Sequence, residues 1–142
     1  MRIVIDTNVW ASGLLWQGAP WQFLRLAEAG RLTLCTTPSI LAELANVLSY
    51  KRIQSRLDQL NLTPAELVGY AMNLASVFDV PEGDAIVLTD PDDDVFLRCA
   101  QAAEASCIVS GDRHLLDLGT YAGIPIATVR DFLALEFPEE SI

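Results

Sequence analysis

The sequence predicts an α/β fold: a three-layer α/β/α sandwich whose mostly parallel sheet has four to five strands. Short apolar runs of strand length alternate along the chain with segments of helical periodicity, which is the pattern of βαβ units. These runs are almost continuously apolar, as expected for parallel strands that are covered on both faces. With 142 residues, the chain fits a single domain over residues 1–142.

Two predicted strands lie in the first half of the chain, at residues 3–5 and 32–35. Thr7 and Asn8 follow the first of them and are turn formers, so we expect a turn there. Helical spacing of apolar residues is found at 21–29, 37–48, 52–60 and 63–75. Two of these segments begin with Thr-Pro, a capping residue followed by the proline that is favoured in a first helical turn.

The second half of the chain alternates in the same way. A short edge strand is predicted at 77–80, an apolar helix follows the aspartates at 90–94, and a buried strand follows at 107–109. We expect a short helix and turn over 115–123. Residues 124–127 form a last strand, and Pro125 indicates the edge of the sheet because proline cannot donate to a strand ladder. A closing helix precedes an acidic tail, residues 138–142, that we expect to be mobile.

Composition disfavours several classes of protein. The formal charge is −10, the only histidine is His114, and the three cysteines have no metal-binding spacing. A zinc site, a histidine-based catalytic triad and a disulfide framework are therefore disfavoured. No apolar run approaches the roughly 20 residues that span a membrane, and the N-terminus has no signal-peptide pattern, so we expect a cytoplasmic protein.

Carboxylates recur at the ends of the predicted elements. Asp6 and Asp112 each follow a buried strand, and Asp93 lies one turn before the apolar face of the next helix. At 100° per residue Asp94 points away from that face, so Asp93 is the aspartate expected to face inward. Glu43 borders the apolar stripe of another helix. Parallel strands bring their carboxyl ends to one edge of a sheet, and we expect these acids to meet there.

Carboxylates gathered in one small volume repel one another unless a cation lies among them. Mg²⁺ and similar hard cations bind such oxygen ligands and leave positions open for a phosphate. A pair of these ions can activate a water molecule and stabilise a leaving oxygen. Hydrolysis of a phosphodiester bond is therefore the simplest reaction for this cluster.

Four segments of the chain carry a family resemblance: Ile3–Val9 (IVIDTNV), Thr37–Leu44 (TPSILAEL), Asp90–Leu97 (DPDDDVFL) and Ile108–Asp112 (IVSGD). In this order they resemble the motifs of PIN-domain (PilT N-terminus) ribonucleases, and the match covers essentially the whole chain. The third segment is especially similar to the branch that contains toxins of type II toxin–antitoxin pairs.

The resemblance implies an endoribonuclease that depends on Mg²⁺ or Mn²⁺ and acts through four acidic residues. These would be Asp6, Glu43, Asp93 and Asp112. Asp6 and Asp93 would be direct metal ligands, Asp112 a ligand of a second or weaker ion, and Glu43 a residue that positions water.

Further residues and partners follow from the same resemblance. Asn8 and Ser110 would hydrogen-bond around the acidic residues, and Asp90 and Asp94 remain alternatives that helix capping explains equally well. The substrate would be RNA. The resemblance also implies a homodimer and a small antitoxin that inserts a segment, often basic, across the active site. A basic antitoxin would match the acidic surface.

The acidic charge leaves a second interpretation open, a binding module of the same fold that holds a basic protein partner. The candidates for RNA phosphate contacts are few: Lys51, Arg52, Arg56, Arg113 and Arg130. Dehalogenase-like phosphatases and phosphorelay receiver domains also place an aspartate after a strand. Both need a lysine in the site, and the only lysine of this chain, Lys51, lies in a helical region.

Overall fold

The computed structural model describes residues 1–80 and 94–140. Within these ranges, the strands are β1 (Arg2–Ile5), β2 (Thr33–Thr36), β3 (Ser76–Val77), β4 (Cys107–Val109), β5 (Thr120–Tyr121) and β6 (Ile124–Ala127). The helices are α1 (Thr7–Leu15), α2 (Ala19–Glu28), α3 (Pro38–Leu48), α4 (Lys51–Leu60), α5 (Pro64–Leu74), α6 (Asp94–Ala103), α7 (Arg113–Leu118) and α8 (Val129–Glu136).

One sheet with the strand order β3-β2-β1-β4-β6-β5 forms the centre of the described structure. All of its pairings are parallel except that of β5 with β6. Helices flank the sheet, so the predicted α/β fold is confirmed. The described sheet has six strands where we expected four or five, because Thr120 and Tyr121 form a short strand in a segment predicted as helix and turn.

Strand β1 lies in the interior of the sheet. Val4 pairs with Cys35 of β2 on one side and with Ile108 of β4 on the other. Ile3, Val4 and Ile5 are all fully buried although successive side chains point to opposite faces, so both faces are covered. The order reverses between β1 and β4, since the chain proceeds from β1 to β2 and only later reaches β4. Such a switch point is where α/β sheets place their ligands.

Helix α1 corrects the prediction of a turn at Thr7 and Asn8. Its sequence, TNVWASGLL, is rich in weak helix formers. Tertiary packing overrides this local preference, because the helix buries Val9, Trp10 and Leu15. Asp6, directly after β1, caps its first turn.

The two Thr-Pro helix starts are confirmed. The Thr37 side chain accepts a hydrogen bond from the Ile40 backbone N–H at 3.2 Å, and Pro38 is the first residue of α3. Thr63 and Glu66 form a complete capping box at the start of α5. Both signals are local in sequence, which is why they predict these boundaries well.

Strand β6 was predicted with the correct bounds, but it is not at the edge of the sheet. It lies between β4 and β5. Pro125 is tolerated because the pairing with β4 involves only Ile126 and Ala127, while Pro125 lies opposite Thr120 of the short strand β5.

Residues 138–140, where we expected a mobile tail to begin, form a 3-10 turn. The Glu139 carboxylate accepts a hydrogen bond from the Arg31 guanidinium at 2.6 Å, which ties this turn to the loop before β2. Residues 141 and 142 lie outside the described residues. In the described ranges, none of the helices has the length and apolar character needed to cross a membrane.

Gly13 is required where α1 packs against α2. A Cβ atom at this position would lie 2.8 Å from the Pro20 carbonyl oxygen and 2.9 Å from a Leu24 methyl carbon. We expect Gly13→Ala to lower the free energy of unfolding by about 1–3 kcal/mol, measured by urea denaturation, because overpacking forces the two helices apart.

Gly69 provides the matched control. It lies inside α5, and a Cβ there would meet nothing within 4 Å. Gly69→Ala should raise the free energy of unfolding by about 0.5–1 kcal/mol, since alanine favours a helix interior. Equal effects of the two substitutions would contradict the close approach of α1 and α2.

Candidate active site

Asp6 lies at the carboxyl end of β1 with only 4% of its surface exposed. Its Oδ1 accepts a hydrogen bond from the Val9 backbone N–H at 2.7 Å, which caps α1. Its Oδ2 accepts from the Ser110 hydroxyl at 2.5 Å and from the Gly111 backbone N–H at 3.2 Å. Three donors from two parts of the chain therefore fix the orientation of this carboxylate.

The turn after β4 supplies the second half of the site. The Ser110 hydroxyl is buried, donates to Asp6 and accepts a hydrogen bond from the Asp112 backbone N–H at 2.9 Å. The Asp112 carboxylate accepts from the His114 backbone N–H at 2.8 Å and caps α7. One hydroxyl thus links the two aspartates that follow the neighbouring strands β1 and β4.

Burial is the main reason why the pKa of Asp6 is raised above its ordinary value. The hydrogen bonds from Ser110, Val9 and Gly111 lower the pKa in part, while the negative charge of Asp112 raises it further. The fold therefore maintains a carboxyl group whose ionised form needs a positive partner.

A cleft of about 440 Å³ lies beside this pair. Its lining residues come from α1, the start of α2, the turn after β4 and the start of α8: Asn8, Val9, Ser12, Ala19, Pro20, Ser110, Gly111, Thr128, Val129 and Arg130. Arg130 is exposed and brings a positive charge to the cleft. It is one of the few basic residues that the sequence offered for phosphate contacts.

Comparison with known proteins decides the family. The family model of the PIN domain matches residues 2–114. The chain belongs to the PIN-domain family. PIN domains are generally nucleases and generally use divalent metal ions.

The fold of this PIN domain is also found in solved structures. One is a chain of the "Crystal structure of VapBC2 from Rickettsia felis bound to a DNA fragment from their promoter". The TM-score is 0.58 at 14% sequence identity, and the match covers 89% of this chain and 97% of that chain. No curated protein sequence matches the chain.

Three of the other acidic residues predicted for the site are Glu43, Asp90 and Asp93, and the structure describes only the first of them. Glu43 is half-buried in α3, at the edge of the buried stripe as expected, and α3 packs against α1 and α6. Asp90 and Asp93 lie outside the described residues. Within 1–80 and 94–140, no group of three or more His, Cys, Asp or Glu side chains is arranged to hold a metal ion. The described part of the site therefore consists of the pair Asp6 and Asp112.

Asp94 corrects a prediction made from the helical wheel. We expected it to point away from the apolar face of its helix, but it is buried, with 7% of its surface exposed. Asp94 lies only about 60° around the helix from Leu97, which is fully buried. The buried face of α6 is therefore wider than the predicted stripe, and Asp94 lies within it.

The predicted phosphate-binding residues divide into two groups. Arg113 is exposed and directly follows Asp112, so it lies at the site. Arg56 instead donates its Nε–H to the Leu15 carbonyl oxygen at 2.6 Å, at the far end of α1 from Asp6. Nine residues of helix make this separation about 14 Å, which places Arg56 and its neighbours Lys51 and Arg52 away from the aspartates.

The donor set fits a hard divalent cation. The described ligand atoms are carboxylate oxygens, the donors preferred by such ions, and a bound cation would offset both the burial of Asp6 and its repulsion from Asp112.

Ser110→Ala tests the link between the two aspartates. The substitution leaves Asp6 Oδ2 with one donor fewer and the Asp112 N–H without its acceptor, so we expect a loss of about 1–3 kcal/mol in the free energy of unfolding. Urea denaturation in EDTA measures it. Ser49→Ala is the control, because the Ser49 hydroxyl donates to a carbonyl at an exposed position, and its effect should stay within about 0.5 kcal/mol. A loss at Ser110 no larger than that at Ser49 would refute the structural role.

Proposed function

We propose that this PIN domain is a divalent-metal-dependent endoribonuclease and the toxin of a toxin–antitoxin pair. The observation that carries the proposal is the pair Asp6 and Asp112, linked through Ser110 at the switch point of the sheet and beside a cleft that contains Arg130. A fixed pair of carboxylates with a cation in the neighbouring cleft suits a phosphodiester substrate.

Asp6, Asp93 and Asp112 are the residues that would hold Mg²⁺ or Mn²⁺. When bound, the ion supplies an activated water and neutralises charge that develops on the phosphate. The residues of the chain have separate tasks. Ser110 and Gly111 orient the Asp6 carboxylate, and Glu43 orients the attacking water. Asp90 and Asp94 stay secondary candidates for the same site.

Arg130 and Asn8 are the residues that contact the substrate in the cleft. Both line the cleft next to Ser110. Because the chain has a formal charge of −10, RNA phosphates are repelled from most of its surface, and a local cation is needed where they bind. Arg113, which directly follows Asp112, is the second candidate for this contact.

An acidic surface also suits a basic protein partner. The proposed partner is a small antitoxin that inserts a basic segment into the cleft and blocks RNA. This agrees with the structural similarity to a chain of the VapBC2 complex, which has 14% sequence identity to this protein. We propose that the toxin acts in the cytoplasm as a homodimer.

The first test is cleavage of a mixed pool of structured and single-stranded RNAs by the purified chain with Mg²⁺, Mn²⁺ or EDTA. We expect cleavage with either metal ion, none in EDTA, and a loss of at least 100-fold in Asp6→Asn and Asp93→Asn, since each removes a charged ligand. Asp117→Asn, which removes one exposed carboxylate five positions after Asp112, is the control and should cleave normally.

Failure of this test has a specific meaning. If no metal ion supports cleavage while calorimetry still detects a divalent ion bound to the wild type and not to Asp6→Asn, the nuclease proposal is wrong. The high negative charge then favours the second candidate, an acidic binding module that holds a basic partner.

Arg130→Ala tests the substrate contact. We expect KM for a short single-stranded RNA to rise about five- to tenfold and kcat to change less than twofold, as for the loss of one charge-assisted hydrogen bond made equally in ground and transition states. Arg130→Lys should restore part of the affinity. Arg31→Gln also removes one positive charge, but Arg31 pairs with Glu139, so KM should change little. Equal effects of Arg31→Gln and Arg130→Ala would show that only net charge matters.

A further inference from the structure

Two aromatic rings and two arginines form a continuous patch where the end of α1 meets α4. The Arg56 guanidinium carbon lies 5.9 Å from the centre of the Trp16 ring, and that of Arg52 lies 5.0 Å from the centre of the Tyr50 ring. Arg52 and Arg56 are one helical turn apart in α4, so the two pairs adjoin. We name Trp16, Tyr50, Lys51, Arg52 and Arg56 the aromatic–arginine platform.

The rings of the platform are accessible. Trp16 is 46% exposed and Tyr50 is 39% exposed, while Trp10 and most other large apolar side chains are buried. An aromatic ring beside a guanidinium group offers a flat surface on which further planar groups stack. The platform is therefore exposed at a point where core packing does not explain the aromatic residues.

Arg56 holds this surface in place. Its Nε–H donates to the Leu15 carbonyl oxygen at 2.6 Å, and its Nη1 donates to the Gln59 side chain at 3.1 Å. The first bond satisfies a carbonyl at the C-terminus of α1, next to Trp16. These two hydrogen bonds hold the Arg56 guanidinium beside the Trp16 ring.

The platform is also the basic region of an acidic chain. Three of the nine lysine and arginine residues fall within residues 51–56, although the formal charge of the whole chain is −10. Among the described residues, the contacts of Arg52 and Arg56 go to rings, a backbone carbonyl and an amide, and none goes to a carboxylate. The patch is complementary to a polyanion.

Helix α1 connects the platform to the candidate active site. Asn8 and Ser12 are about one helical turn apart on α1, and Trp16 follows directly after the last residue of this helix. Asn8 and Ser12 line the cleft, and Trp16 lies at the other end of α1, about 14 Å from Asp6. A strand bound in the cleft can continue over α1 to the platform.

From these observations we infer that the aromatic–arginine platform binds single-stranded RNA on one side of the cleavage site. Unpaired bases stack on Trp16 and Tyr50, and Lys51 and Arg52 contact the adjoining phosphates. This inference rests on the proposed ribonuclease function, because it assigns the substrate class of that site. A duplex would gain little, since its bases are already stacked on each other.

Fluorescence anisotropy of a labelled 12-nucleotide single-stranded RNA of mixed sequence tests the inference. The full chain is used in EDTA, so that binding is measured without cleavage. We expect the double variant Trp16→Ala/Tyr50→Ala to bind at least tenfold more weakly. Trp16→Phe/Tyr50→Phe keeps an aromatic ring at each position and should bind within threefold of the wild type. Leu135→Ala, which trims another exposed apolar side chain, is the control and should have no effect.

The charged part of the platform has a separate measurement. Each phosphate contact of a single strand contributes about 0.7 to the slope of log affinity against log salt. Lys51→Gln/Arg52→Gln should therefore reduce the slope by about 1.4, whereas the aromatic double variant should leave it unchanged. Binding of a duplex of the same sequence should not respond to loss of the rings.

Three results would overturn the inference: unchanged affinity in Trp16→Ala/Tyr50→Ala, equal weakening for single-stranded and duplex RNA, or a salt slope that Lys51→Gln/Arg52→Gln does not alter.

Sedimentation tests whether a second copy of the chain, rather than RNA, occupies this surface. If loss of the rings dissociates a dimer and leaves RNA affinity unchanged, the platform is an interface between two copies of the chain. The nuclease proposal and the platform inference can fail separately. RNA binding in EDTA without cleavage in Mg²⁺ or Mn²⁺ would reject only the nuclease.

Discussion

The Asp6 carboxylate is the interaction on which the architecture of the site depends. One oxygen starts α1, and the other accepts two hydrogen bonds from the turn after β4. The backbone reinforces the junction, since the Asp6 N–H donates to the Val109 carbonyl and the Ser110 N–H donates to the Ala127 carbonyl. The carboxyl ends of β1, β4 and β6 are thereby held together, and the cleft forms where they meet.

This junction carries a cost in stability. A buried carboxylate loses its hydration, and the neighbouring Asp112 adds repulsion, so hydrogen bonds offset only part of the cost of this charge. A core built for stability alone would place an apolar residue there. A buried carboxyl group with a second carboxylate beside it is characteristic of sites that act on a ligand. The surrounding strands, which are fully buried around Val4 and Ile108, provide the rigidity that the pair requires.

Sequence patterns predicted the parts of the fold that local chemistry determines. The strands at 107–109 and 124–127 and the helix starts at Thr37 and Thr63 have the expected bounds, because apolar runs and capping residues act over a few positions. Helix α1 was missed because its stability comes from packing against α2 and α3, which a local pattern does not contain. The two-residue strand β5 was missed because it depends on its partner β6.

The candidate site likewise contains residues that the sequence could place and residues that it could not. Asp6 and Asp112 could be placed at one edge from the parallel topology alone, and the role of Ser110 followed from the family resemblance. The sequence offered Arg130 for phosphate contacts but did not place it in the cleft, because its position depends on β6 lying beside β4, a neighbour relation between segments far apart in sequence. The hydrogen bond from Arg56 to the end of α1 could not be predicted either, because the sequence shows only a basic cluster at this position.

The cap that Asp6 provides for α1 constrains which residues can replace it. Exchange of Asp6 for alanine would remove the cap of α1, so such a variant is penalised in folding whatever its effect on function. Asparagine and serine are capping residues too and keep the start of the helix. Related chains that remain folded without an aspartate at this position should therefore carry asparagine or serine there, and an apolar replacement should occur only together with compensating changes in α1.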